Sequence, residues 1–142
     1  MSRVAVVYWS GTGNTEAMAN AVLEGAKEAG AEAVLFTSAE FSESMVGSYD
    51  AIAFGCPAMG AEELEEDEFA PMYEACKGSL SGKKIALFGS YGWGDGEWMR
   101  SWEASATGAG ALLAAGSVIC NDAPDDEGVT SCKALGASLA SA

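Results

Sequence analysis

A chain of 142 residues with 49% hydrophobic and 20% charged residues is long enough to bury a core of its own, which sets aside a disordered or fibrous polymer. Seven Lys+Arg against 21 Asp+Glu leave a formal charge of −14, a poor match for nucleic-acid phosphates. With no histidine, the chain lacks imidazole general bases, Ser–His and Cys–His nucleophile systems and imidazole metal ligands. The acidity either aids solubility or steers the molecule toward basic patches on other proteins, and charge alone does not separate the two. The N-terminus has no signal-peptide layout and no 18-residue apolar stretch, so a soluble cytoplasmic protein is expected. Cys56, Cys76, Cys120 and Cys132 form no CxxC pair and fit no zinc or iron–sulfur spacing; buried reduced thiols are expected, with no metal.

Apolar runs alternate with helical patterns along the whole chain. Arg3 to Trp9 (RVAVVYW) predicts a buried strand ended by Ser10-Gly11. Thr15 to Ala29 predicts a helix, with Met18, Val22 and Ala26 on one face and Gly30 as its stop. Ala33 to Phe36 is a second strand, Ser42 to Gly47 a helical turn, and Ala51 to Cys56 a third strand ended at Pro57. An acidic segment leads into a helix over Glu68 to Lys77. Lys84 to Ser90 is the fourth strand, and Glu97 to Thr107 a helix with Trp98 and Trp102 stacked at i, i+4 in the core. Leu112 to Cys120 is the fifth strand, and Gly128 to Ala140 the last helix. Strands separated by helices predict an α/β fold with a parallel sheet covered on both faces. With no repeat or linker, residues 1–142 are expected to form one domain.

Ligands in such sheets bind beyond the carboxyl ends of the strands. The loop Ser10-Gly11-Thr12-Gly13-Asn14-Thr15 follows the first strand and is rich in hydroxyls and curling backbone. With a helix N-terminus behind it, it suits a phosphate. It lacks the lysine of a Walker loop, and Glu16 stands where a dinucleotide fingerprint has its third glycine. No Lys or Arg is near, so neutral dipoles would hold the anion and the site would stay electronegative. After the fourth strand, Tyr91-Gly92-Trp93-Gly94 offers Trp93 as a platform for a flat ring. Met59, after the third strand, offers a polarizable contact for the opposite ring face, while Trp9 packs under the phosphate loop. A receiver domain would have acids where Tyr8-Trp9-Ser10 stands, and a cysteine phosphatase would have arginine where Glu62 stands.

Three strings, SGTGNTEAMA (10–19), GCPAMG (55–60) and GSYGWGDGEWM (89–99), resemble the short-chain flavodoxins of anaerobic bacteria, and the resemblance runs through essentially the whole chain in order. It implies a flavodoxin-like fold: a doubly wound five-stranded parallel sheet in the order 2-1-3-4-5, with helices on both faces. The fifth strand lacks the insertion of long-chain members. The resemblance also implies non-covalent FMN and a low-potential one-electron carrier that replaces ferredoxin between redox enzymes. Ferredoxin-type partner proteins with basic docking patches are implied, and a carrier that docks transiently is expected to be a monomer. The alternative is a small FMN-dependent quinone or NAD(P)H reductase, although so short a chain leaves little room for a substrate pocket.

By motif match, Ser10, Thr12, Asn14 and Thr15, with the backbone of Gly11 and Gly13, should bind the FMN phosphate. Trp93 should stack on one face of the isoalloxazine and Met59 pack on the other, with Ala58 and Gly60 of the same loop also among the cofactor-binding residues. Glu62 is placed to accept from flavin N3–H, and Ser90, Tyr91, Gly92 and Gly94 to line the pyrimidine edge. Asn121 either reaches the ribityl chain or holds the loop beneath it. Pro57 has neither N–H nor hydroxyl and is left out of the phosphate contacts. The acidic run Glu62–Glu68, six acids in seven residues, is either a solvated face or a field that lowers the second reduction potential.

Family resemblance further implies that the Gly60 carbonyl accepts the N5–H of the semiquinone after the Met59–Gly60 peptide turns over. That turn requires φ > 0 at Gly60. One hydrogen bond of roughly 1–3 kcal/mol corresponds to about 40–130 mV in a one-electron potential. Gly60→Val is expected to lower the semiquinone yield in a redox titration, and an unchanged yield refutes the turnover.

Overall fold

Arg3–Tyr8 forms β1, and it is buried along its length after Arg3 because strands lie on both of its sides. The computed structural model describes residues 2–11, 13–59, 63–92 and 94–141. Asn14–Glu28 is α1 and Glu32–Thr37 is β2; two 3₁₀ turns, Ser38–Glu40 and Glu43–Ser48, lead to β3 at Ala51–Gly55. Phe69–Lys77 is α2, Lys84–Tyr91 is β4 and Glu97–Gly108 is α3. Two short strands follow, β5 at Leu112–Leu113 and β6 at Val118–Asn121, before α4 at Asp126–Ala140. The six described strands pair in parallel, in the order β2-β1-β3-β4 with β5 and β6 sharing the far edge. This is the expected 2-1-3-4-5 arrangement.

The expected continuous fifth strand over Leu112–Cys120 is corrected in one respect. Leu113 pairs with Ile85 and Val118 with Phe88, so five residue steps on this strand oppose three on β4. The surplus forms a bulge at 114–117, pinned by Ser117 Oγ donating to Glu103 Oε2 at 2.6 Å. Edge strands favour such bulges because only one side pairs. The first 3₁₀ turn is also additional to the sequence reading, and the Thr37–Glu40 capping box closes it.

Side chains alternate across the sheet and give two cores. Ala5, Val7, Ile52, Phe54, Ile85 and Leu87 face α2 and α3. That core is aromatic: Phe69, Tyr73 and Trp102 meet edge-on or stacked at centroid distances of 5.4–6.3 Å. Trp98 and Trp102 are both buried in it, as their spacing predicts. Val4, Val6, Ala51, Ala53, Ala86 and Phe88 face α1 and α4. Small residues there let the helices sit low, and the helices meet backbone to backbone. A Cβ on Gly25 would overlap the Lys133 carbonyl, and one on Gly136 the Val22 carbonyl. All four cysteines are free and buried. Burial pushes the Cys56 and Cys132 thiols up to about 12, so they stay protonated.

The acidic run is not uniformly a solvated face. Glu65 is 4% exposed, and its carboxylate accepts from the amides of Asp67, Glu68 and Phe69 at 2.7–2.8 Å. It therefore caps the start of α2. Burial alone would raise its pKa, but the three amides outweigh burial and hold it below the ordinary 4.5. A carboxylate with a lowered folded pKa stabilises fully above its unfolded value and loses that contribution as pH falls through the folded one.

Two outcomes follow for urea unfolding. Gly136→Ala is expected to destabilise by about 1–3 kcal/mol through overpacking, whereas Gly108→Ala, with nothing near its Cβ, is expected to be neutral or stabilising. Glu65→Gln is expected to cost about 1–2 kcal/mol near neutral pH and to flatten the acid limb below the ordinary glutamate pKa. An unchanged acid limb removes Glu65 from the cap.

Candidate functional site

β1, β3 and β4 are parallel and in one register: Tyr8 pairs with Gly55 and Gly55 with Phe88, and β4 continues to Tyr91. The segments that leave their carboxyl ends therefore converge, and they enclose a cleft of about 240 Å³. Trp9, Pro57, Ala58, Met59 and Tyr91 give it apolar walls, and Gly11 and Gly92 let backbone form part of the lining. Its polar groups are Asn14, Ser90 and Asp122, with no lysine or arginine among the described lining residues. Flat apolar walls with a few polar groups suit a planar ring that carries a polar tail.

One end of the cleft is built for an anion. Gly13 sits at φ 97°, which suits glycine, and it starts α1 without a side-chain cap among the described residues. Asp125 caps α4 by accepting from the Gly128 amide at 2.8 Å, and Glu65 serves α2. At α1 the only described local partner is Ser10, whose Oγ accepts from the Gly13 amide at 3.0 Å and keeps its own proton to donate. An uncapped helix start with the Ser10 hydroxyl and the Asn14 amide beside it fits the phosphate of FMN.

The walls are held from behind. The Ala58 amide donates to the Ser90 carbonyl at 3.0 Å, and Trp98 Nε1 donates to the Cys56 carbonyl at 3.2 Å. The Tyr91 ring lies 5.7 Å from that of Trp98, so one indole braces both loops. Met59 and Glu63 exchange backbone hydrogen bonds of 2.9 and 3.0 Å as an antiparallel pair, which ties Met59 to the segment that leads into α2. Trp9 lies over Gly11 and donates from Nε1 to Glu68 Oε1 at 3.1 Å. Trp9 also walls a neighbouring groove of about 560 Å³, where Tyr8 donates to Glu16 at 3.1 Å; burial, then Glu16, raises the Tyr8 pKa.

Of the residues expected from sequence, Gly11, Asn14, Ala58, Met59, Ser90, Tyr91 and Gly92 line this cleft. Ser10 and Gly13 stand beside it at the start of α1. Thr15 lies behind it, 1% exposed, with its hydroxyl against Ser90. Gly94, at φ 86°, stands in the following turn. Asn121 is exposed and donates from Nδ2 to the Tyr91 carbonyl at 3.4 Å, the geometry of the loop-holding alternative. Thr12, Gly60, Glu62 and Trp93 lie outside the described residues. Sequence reasoning did not count Trp9, Pro57 and Asp122 as lining. The strand-end rule points to all three; Pro57 was passed over for lacking a hydrogen bond, although its ring supplies apolar wall.

The flavodoxin family model matches residues 6–136. The flavodoxin of Megasphaera elsdenii is 46% identical over 139 residues, covering 98% of this chain and 99% of the relative. That of Clostridium beijerinckii is 44% identical over 121 residues, covering 85% and 88%. The solution structure of two-electron reduced Megasphaera elsdenii flavodoxin aligns with a TM-score of 0.91 over 98% of this chain and 99% of that one. The chain belongs to the flavodoxin family, whose cofactor is FMN, and is an electron-transfer protein rather than an enzyme.

Proposed function

We propose that this protein is a low-potential carrier that takes the place of a ferredoxin, works in the cytoplasm as a monomer, and docks on basic patches of its redox partners. The observation behind this reading is electrostatic: the cleft has acids on its rim and no described cation in its lining. Asp122 lines it, Glu63 pairs with its lining residue Met59, and Glu66 and Asp67 are exposed in the segment that follows. Arg100, at the start of α3, is paired with Asp95 at 3.1 Å. Arg3, Lys27, Lys77, Lys83 and Lys84 belong to the opposite edge, where β1 and β4 begin and α1 and α2 end.

Bound FMN supplies chemistry in one-electron steps. The residues then have separate tasks. The α1 amides, Ser10 and Asn14 would hold the phosphate through neutral donors, so its negative charge is retained near the ring. Trp9, Pro57, Met59 and Tyr91 would exclude water from the ring faces, which strengthens every charge effect inside. The acidic rim opposes addition of a second negative charge, which sets a low second potential and gives partners a surface to find. Thr12, Gly60, Glu62 and Trp93 keep the roles the family resemblance implies.

The triple variant Glu63→Gln, Glu66→Gln, Asp67→Asn tests this reading by spectroelectrochemistry. The lower potential is expected to rise by on the order of 10 mV per charge removed. Association with a basic ferredoxin-dependent enzyme is expected to slow at low salt and to change little at high salt. No change in either quantity refutes the electrostatic part. Rapid turnover with NAD(P)H and a quinone refutes the carrier role.

A further inference from the structure

The sheet divides the four cysteines into two pairs. Cys56 and Cys76 lie in the aromatic core, whereas Cys120 and Cys132 lie in the small-residue core under α1 and α4. Cys120, on β6, aims its sulfur at the first turn of α4: a Cβ on Gly128 would stand 2.8 Å from Cys120 Sγ. Cys132 follows Gly128 by four residues, one helical turn along the same face. The two thiols meet there and hydrogen-bond to each other. Their surroundings differ. Cys120 lines a cleft of about 240 Å³ between β6 and α4, with Asn121, Asp125, Glu127 and Ser131, while Cys132 is fully buried behind it. The hydrogen bond has a direction. It lowers the pKa of Cys120 and raises that of Cys132, so Cys132 donates and Cys120 accepts. Burial is the larger cause at both, keeping Cys120 above the ordinary 9 and pushing Cys132 up to about 12. Cys120 is therefore the sulfur that a reagent reaches, and it is helped toward ionisation by its neighbour.

We propose that Cys120 and Cys132 form a second redox site, a dithiol that small cationic disulfides oxidise to an intramolecular disulfide, with Cys120 as attacking and Cys132 as resolving sulfur. The Cys120 thiolate, its proton passed to water, attacks one sulfur of the reagent. The reagent's S–S bond breaks, one half leaves as a thiolate, and Cys120 is held in a mixed disulfide. Cys132 then loses its proton, attacks the Cys120 sulfur and expels the second half. The two cysteines lose two electrons and two protons, and the reagent leaves as two thiols. The first step is slow because Cys120 is only slightly ionised. In the second, proximity offsets the small thiolate fraction of Cys132. β6 can make the small approach that the bond requires, because it follows the bulge at 114–117 and pairs with β4 alone among the described strands. The choice of reagent is electrostatic: Asp125 and Glu127 line the cleft, with no lysine or arginine among its described lining residues.

The test incubates the reduced, FMN-loaded protein with cystamine or with glutathione disulfide, denatures it, and alkylates the remaining thiols for mass spectrometry. With cystamine, two of the four thiols are expected to escape alkylation, with no reagent retained and the mass lower by two hydrogens. Cleavage after Glu127 is expected to yield the peptide of Cys120 joined to that of Cys132. Cys132→Ser is expected to stop at a mixed disulfide on Cys120, and Cys120→Ser to leave its other thiols free. Cystamine is expected to react about tenfold faster than the anionic glutathione disulfide at low salt, with the gap closing at high salt. A mixed disulfide that persists in the wild-type chain overturns the inference, as does a gap insensitive to salt. So does reaction of Cys56 or Cys76 as fast as Cys120, which means that the protein reacts by unfolding, and so does an unreactive Cys120. Should either variant not fold, the wild-type peptide map and the rates of the four thiols decide alone. None of these readings depends on a property of the flavin.

Discussion

Everything at the cleft depends on three parallel strands held in one register. With Tyr8, Gly55 and Phe88 in register, the chain leaves β1 and β3 at one height, while β4 runs three residues further to Tyr91. Each exit segment then becomes a wall for the others. Parallel pairing also requires cover on both faces, and the two covers differ. The aromatic core under α2 and α3 includes Trp98, which braces the loops after β3 and β4. The small-residue core under α1 and α4 brings the start of α1 close enough to β4 for Thr15 to touch Ser90. Side-chain size on the sheet thus sets how far the anion end and the ring end of the cleft stand apart.

Much of this was legible in the sequence, for identifiable reasons. β1, β3 and β4 are short continuous apolar runs, as a strand buried on both faces must be. The α3 tryptophans recur at i, i+4 and both turn inward. The loops after three of the strands carry glycines and donors that core packing does not require. The break at 114–117 was not legible, because apolar content on an edge strand does not reveal what opposes it. Nor was Glu65 separable from its acidic neighbours, since composition does not mark which acid turns back on the backbone. The contact between Thr15 and Ser90 joins residues 75 positions apart, which no local pattern encodes.

The charges are ordered by the same topology. Strands that all run one way place their first residues, and the last turns of the helices between them, on one edge. Lysines at helix ends complement the helix dipole there, as Lys27 and Lys77 do. Acids at helix starts then gather at the cleft edge, as Glu16, Glu97, Asp126 and Glu127 do. The cleft's field is therefore partly a by-product of rules that stabilise each helix separately.

The bulge at 114–117 marks the place where this chain tolerates added length. Its residues lie between two short pairings with β4, and Gly116 is exposed with open space around it. A segment spliced there disturbs no strand and costs mainly the entropy of a longer loop, which grows only as the logarithm of its length. The seam is on the far edge of the sheet from β2, and the cleft is made by strands closer to the centre. A tether, a reporter or an immobilising tag belongs at Gly116, where the carrier can be held by its flank with its cofactor face open to a partner.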